Sequence, residues 1–239
     1  MGMRDLMTMM WKEIAEFLGN KRSLRVFAIA VLVMGIVPAL TWRHAATGDA
    51  AFLRLVVGAL YVLLATAIVV ANTAPDLVLH ERVGHTLDYL LATRLPDRAI
   101  FLGKVLVSAA MGYAAALVAV ALQLLLHAVF SGAGWSWLYL AIPAGRILAF
   151  GMSAALALYV AVVGTFVALR VGDQRSAYLV TILSIGVVLA PLLFGWVRIE
   201  VTTAWFWDAT LAFGAFAVAL GAVGTRLFKR EMLVLYLQE

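Results

Sequence analysis

Residues 76–104 read DLVLHERVGHTLDYLLATRLPDRAIFLGK, and this stretch decides how the chain is arranged. It carries eight charged residues, Asp76, Glu81, Arg82, Asp88, Arg94, Asp97, Arg98 and Lys104, between two long apolar runs. A charge at the centre of a bilayer costs about 2.5–3.5 kcal/mol on insertion scales, so the stretch as a whole would cost on the order of 20 kcal/mol. It is therefore expected in water at a membrane face. It is also patterned. Leu87, Leu90 and Leu91 recur at i, i+3 and i+4, which gives a short helix one apolar face. Pro96 interrupts that helix, and Asp97 is placed to cap the next one. An apolar face on a water-exposed helix fits docking onto a partner, and it fits packing on the chain's own membrane domain equally well.

Composition agrees with a membrane location. Of the 239 residues 65% are hydrophobic and 13% charged, and the mean hydropathy is +1.02. Soluble domains carry about 25% charged residues. The reading is one all-α integral membrane domain over residues 1–239. There is no cysteine, which excludes a disulfide framework and a cysteine-based metal site. The net charge of +5 requires no nucleic-acid partner, because the distribution of basic residues accounts for it.

Working outward, residues 4–20 read as an amphipathic helix. Met7, Met10, Trp11, Ile14, Phe17 and Leu18 form its apolar stripe, and Arg4, Asp5, Thr8, Lys12, Glu13 and Glu16 its polar side. Such a helix lies in the interface plane. Gly19 and Asn20 end it. An amphipathic helix ahead of the first apolar run is not a cleavable signal, so none is expected. Six spans follow at about 26–42, 55–74, 100–128, 147–169, 177–197 and 205–225. Trp135, Trp137 and Tyr139 read as an interfacial aromatic cluster.

Basic residues orient the spans. Fourteen of the 18 Lys and Arg fall on one side: Arg4, Lys12, Lys21, Arg22 and Arg25; Arg82, Arg94, Arg98 and Lys104; Arg170 and Arg175; Arg226, Lys229 and Arg230. Arg43, Arg54, Arg146 and Arg198 fall on the other. The positive-inside rule then puts both termini in the cytoplasm, and the absence of cysteine fits a bacterial inner membrane.

Three patterns in the sequence bear on chemistry. His80-Glu81 followed by His85 invites comparison with H-E-x-x-H zinc sites, which need histidines at i and i+4, about 40° apart on a helix. At i and i+5 they stand about 140° apart, so no metal site is expected. Asn72, Thr73, Gln123, His127, Thr165, Thr181 and Ser184 lie inside spans, where such residues mostly bond to backbone or neighbouring helices. Gly214, Ala217, Gly221 and Thr225 place small residues along the sixth span, a packing stripe. No G-x-x-x-x-G-K-[ST] motif is present, since Gly103-Lys104 is followed by Val105. No catalytic pair stands out.

The order Glu81-Arg82, Thr86-Leu87, Leu90-Leu91-Ala92-Thr93 and Gly103-Lys104 resembles the cytosolic loop of ABC-2 type permeases, the transmembrane subunits of type V exporter-like ABC transporters. That family commonly reads E-R-x-x-G-T-L-x-x-L-L-x-T-P, a polar turn, an apolar pair and G-K. The chain departs from it at His85, where Gly is usual, and at Arg94, where Pro is usual. The N-terminal helix is similar to the family's elbow helix. Phe228, Arg230, Glu231 and Leu233 are similar to its F-x-R-E-x-L ending. The resemblance implies six transmembrane helices behind an elbow helix, with a short cytosolic coupling helix within 76–98, between the second and third spans. It implies a permease dimer, homo or hetero, bound to cytosolic ATPase subunits that carry the ATP and Mg, with no cofactor on this chain. It assigns coupling to Glu81, Arg82, Thr86, Leu87, Leu90 and Leu91, a substrate path at the dimer interface near the first and fifth spans, and export as the direction. The alternatives are a six-helix intramembrane enzyme and a secondary carrier acting without an ATPase. His127 alone at depth argues against the first, and the lack of an intramembrane acidic relay argues against the second.

The orientation is testable with single cysteines in a chain that has none. Thr47→Cys should react with an impermeant thiol reagent added outside, and Asp97→Cys should not. The opposite pattern would invert the topology.

Overall fold

The computed structural model describes residues 3–41, 49–83, 96–131, 143–171, 173–198 and 203–228. Every regular element among the described residues is helical. They are α1 (Met3–Gly19), α2 (Lys21–Thr41), α3 (Asp49–Val83), α4 (Asp97–Ser131) and α5 (Pro143–Arg146). A π-helical segment (Ile147–Met152) leads from α5 into α6 (Ser153–Arg170), followed by α7 (Gln174–Arg198) and α8 (Thr203–Leu227).

Among the described residues, five stretches are long and apolar enough to cross a membrane: Lys21–Leu40, Val57–Glu81, Asp97–Val129, Ile147–Arg170 and Trp205–Arg226. They cover the first, second, third, fourth and sixth expected spans and are consistent with a multi-pass membrane protein. The fifth falls on the 25-residue helix α7, whose side chains from 187 onward lie outside the described residues. The aromatic cluster at 135–139 also lies outside them.

Two boundaries differ from expectation. The second span was expected to stop near Pro75, but α3 runs through it to Val83. The eight further residues add about 12 Å of helix. A proline within a membrane helix is tolerated where neighbours hold the backbone in place. Here Asp76, the next residue, is bonded to both α2 and α7 neighbours. Asp97 is itself the first helical residue of α4 rather than its cap, and the N–H of Ala99 bonds to the Pro96 carbonyl at 2.8 Å. A carboxylate in the first turn still faces the positive end of the helix dipole.

The centre of the bundle is α3, packed between α4 and α6 and touched by α2 and α7. Its buried positions include Ala59, Ala65, Ala67, Ala71 and Ala74. Short side chains let helix backbones approach closely, which is what drives association where lipid removes the hydrophobic advantage. Gly112 on α4 does the same: a Cβ there would fall 2.0 Å from Val70 Cγ2 and 3.3 Å from the Thr66 carbonyl oxygen. Gln123, fully buried on α4, donates its amide to the Met34 carbonyl of α2 at 2.9 Å and to the Gly58 carbonyl of α3 at 3.4 Å. Four other polar side chains in the spans bond back along their own helices: Asn72 to Ile68, Thr73 to Val69, Thr165 to Ala161 and Thr181 to Ala177. The small stripe of α8 faces α6, with Gly214 over Ala155 and Gly221 over Val162.

The outward surface is apolar. Ile29, Leu32, Leu183, Leu211 and Val218 are exposed, the side that meets hydrocarbon in a membrane protein. On α1, Met7, Trp11 and Leu18 also point away from the bundle, while Met9 and Phe17 are buried against it. The helix therefore has an outer apolar stripe and an inner, protein-facing one.

Gly112→Leu should cost about 1–3 kcal/mol by overpacking the α3–α4 contact. A Cβ at Gly186, by contrast, meets nothing within 4 Å. Thermal unfolding in detergent should therefore show a lowered Tm for Gly112→Leu and no loss for Gly186→Ala.

Candidate functional site

Beneath the inner stripe of α1, charged side chains from three helices converge. Lys104 stands two turns into α4 with its side chain 4% exposed, Glu81 near the end of α3 is at 2%, and Glu13 on α1 is at 0%. These burials correct the sequence expectation. Glu81 and Lys104 were expected in water with the rest of the 76–104 charges, and Glu13 on a solvated polar face. All three are sealed inside.

The geometry explains how they can be. An ammonium has three protons to donate. Lys104 Nζ donates to Glu13 Oε1 at 2.9 Å and to the Leu77 carbonyl oxygen at 2.6 Å, and forms an ion pair with Glu81 Oε2 at 2.8 Å. Lys12, half-exposed on α1, closes the cluster from outside. It donates to Glu81 Oε1 and lies 3.2 Å from Glu16 and 3.7 Å from Glu13. Three carboxylates thus share two ammoniums. Burial pushes the Glu13 carboxyl up from its ordinary value, opposed by Lys104 and reinforced by the neighbouring Glu81 charge. Burial pulls the Lys12 ammonium down, but the hydrogen bond and charge of Glu81, backed by Glu13 and Glu16, outweigh it and hold it above its usual value.

Local sequence builds this arrangement. Met9, Glu13 and Phe17 recur every fourth residue, so they share the inner face of α1. Gly103 lets that face come close, since a Cβ there would lie 2.6 Å from Met9 Cγ. Phe101, one turn ahead of Lys104, is fully buried against Phe166 of α6 and Phe228 after α8, with ring centroids 5.4 and 5.6 Å away. The C-terminal Phe228 is thereby tied to the start of α4.

A second node lies alongside. Asp76 accepts hydrogen bonds from Asn20 Nδ2 at 3.0 Å, Ser23 Oγ at 2.9 Å and Gln174 Nε2 at 3.0 Å. Asn20 also caps α2 through the Arg22 N–H at 3.0 Å. One carboxylate joins the α1–α2 turn, α3 and the start of α7.

Of the residues assigned to coupling, Glu81 is in the cluster. Arg82 is helical, but its side chain lies outside the described residues, as do Thr86, Leu87, Leu90 and Leu91. His80 is exposed on α3, and His85 is likewise outside. Carboxylate oxygens of Glu13, Glu16 and Glu81 come within 4.8 Å of one another, a spacing that a cation could bridge. Lys12 and Lys104 already supply positive charge at that place. Sequence reasoning missed Glu13, Lys12 and Asp76. The signal for Glu13 was its position between Met9 and Phe17 on the inward stripe. Compared with known proteins, the chain matches no family model and no curated protein.

Removing Lys104 should be severe, because it strands two buried carboxylates. Lys104→Met should lower stability by about 3–5 kcal/mol, the usual effect of breaking a buried pair from one side. Adding Glu13→Gln and Glu81→Gln should recover part of that loss, measured by thermal unfolding of the purified protein. A Tm unchanged by Lys104→Met would contradict the cluster.

Proposed function

We propose that the chain is the permease subunit of an ABC-2 type ABC transporter, forming the translocation path and coupled to a separate ATPase, for export. The observation that supports this most is the 2.8 Å ion pair between Glu81 and Lys104. These residues bracket the loop motif that resembles the family's coupling loop. Held together under α1, they make the loop a lever with a fixed base. A push on residues 82–96 is delivered to α3 and α4 together, and through Glu13 to α1. A loop hinged on flexible coil would dissipate it.

In this reading α7 provides the remaining span, both termini are cytoplasmic and the membrane is the inner membrane. A second permease subunit completes the path, and ATP and Mg sit on the ATPase. The apolar loop face of Leu87, Leu90 and Leu91, flanked by Arg82 and Thr86, meets the ATPase. Glu81 is buried, so its part is to position the loop rather than to touch the partner.

Leu90→Asp tests the docking. An unpaired carboxylate in an apolar contact costs several kcal/mol. The variant should insert and unfold like the parent but fail to co-purify with its cognate ABC ATPase. In liposomes the chain alone should hydrolyse no ATP, and adding the ATPase should give hydrolysis that Leu90→Asp abolishes. A large drop in Tm of the isolated variant would place the leucines in the chain's own packing. Uphill transport by the chain alone on a proton or sodium gradient would make it a secondary carrier.

A further inference from the structure

Between α2 and α7, over α3, the structure opens into a cleft of 710 Å³. Val26, Ile29, Ala30 and Val33 of α2, Ile68 of α3 and Tyr178 of α7 make it largely apolar. A second cavity of 790 Å³ adjoins it at the α1–α2 turn, lined by polar side chains that include Lys21, Asp76 and His80. The two share Arg22, Asp173 and Gln174 at their border, so they form one groove with an apolar and a polar compartment.

The charges of this groove are not balanced in what they offer a ligand. Its acids are engaged. Asp76 accepts from Asn20, Ser23 and Gln174. Glu16 lies 3.2 Å from Lys12. Asp173 accepts from the Ser176 N–H at 2.9 Å and hydroxyl at 3.0 Å, which hold its carboxyl below the ordinary range. Its cations are differently placed. Arg22 donates to a neutral acceptor, Gln174 Oε1, at 2.8 Å. Among the described residues Lys21, Arg22 and Arg175 make no ion pair, the Arg175 side chain acting on Asp173 only as a neighbouring charge. Guanidinium groups pair with phosphate through two parallel hydrogen bonds, which favours them over simple point charges.

We propose that this groove binds an anionic phospholipid, with its phosphate between Arg22 and Arg175 and an acyl chain along Val26, Ile29 and Val33. Ile29 and Val33 are 60% and 44% exposed, so the apolar compartment is open on its outer side and a lipid can enter sideways from the leaflet. A soluble anion would satisfy the arginines but leave the apolar trough unused. A zwitterionic lipid would fill the trough but bring its own cation beside Arg22. Calling this lipid a transport substrate rests on the permease reading. Binding itself does not, since every residue involved is on this chain.

The test uses the purified full-length protein in detergent, offered phosphatidylglycerol or phosphatidylcholine and read by native mass spectrometry. The wild type should retain phosphatidylglycerol at about one tenth of the concentration needed for phosphatidylcholine, a tenfold preference. Arg22→Ala with Arg175→Ala should abolish the preference. Val33→Trp, which fills the trough and leaves the arginines, should reduce retention of both lipids. Arg146→Ala, an exposed arginine at the π-helical segment and outside the groove, should change nothing. Equal retention of the two lipids by the wild type, or a preference that survives the double variant, would overturn the proposal. So would displacement of phosphatidylglycerol by inorganic phosphate alone, which would make the site one for a free anion. ATPase association without lipid preference would leave the transport reading standing and remove the lipid site. Lipid preference without any ATPase association would do the reverse.

Discussion

The buried ammonium of Lys104 constrains everything around it. Taking an ammonium and two carboxylates out of water costs several kcal/mol per ion even after relaxation. The mutual attraction offsets this only if the geometry is close, and here Lys104 makes two hydrogen bonds and an ion pair, all within 2.9 Å. Net stabilisation from such a cluster is small. Its effect is on the alternatives. Sliding α1 along α4, or splaying α3 from α4, leaves a bare charge in an apolar setting. The cluster therefore selects one registration of three helices that small-residue packing alone would permit to slip.

That constraint gives the parts of the 81–104 pattern separate physical roles. Glu81 and Lys104 join the two ends of the loop. Gly103 admits α1, whose Met9 occupies the space a Cβ would take. Phe101 binds the loop's exit to α6 and to Phe228 beyond α8. Each residue acts on a different neighbour, yet all of them fix the first two turns of α4. The start of that helix is the point to which the N-terminal helix, the charged loop and the C-terminal segment are all attached.

Much of this fold was legible in the sequence because hydropathy is a local property. Apolar runs of 20 or so residues announce themselves, and five described stretches answer to them. The amphipathic N-terminal helix was equally plain, ending at Gly19 as its residues indicate. What failed was the treatment of charges one at a time. An insertion cost per residue sends Glu81 and Lys104 to water, and a helical wheel sends Glu13 there as well. The pairing that keeps them inside joins residues 91 positions apart, which no window along the chain can register. Pro75 misled for a similar reason. Its helix-breaking tendency is local, while the bonds to Asp76, just past it in α3, come from the α1–α2 turn, α2 and α7. Residues 84–95, which carry most of the loop motif, lie outside the described residues.

The cluster and the lipid groove are not independent features, because they share a wall. Glu16 lies beside Lys12 at the cluster's outer edge and also lines the polar compartment. Asp76 sits one turn before His80 and Glu81 on α3, and its oxygens hold Asn20 and Ser23 on one side of the groove and Gln174 on the other. A displacement of the α3 end, delivered through Glu81, must move Asp76 with it, since both belong to one continuous helix. Either the three bonds to Asp76 stretch or the α1–α2 turn and the start of α7 follow. Following preserves the bonds and carries Arg22 and Arg175 along with Asp76, since Arg22 is itself bonded to Gln174. Contiguous packed elements of this kind are the physical route by which two sites become coupled. In the permease reading, a push on the loop would then shift the polar end of the groove as one unit with the end of α3.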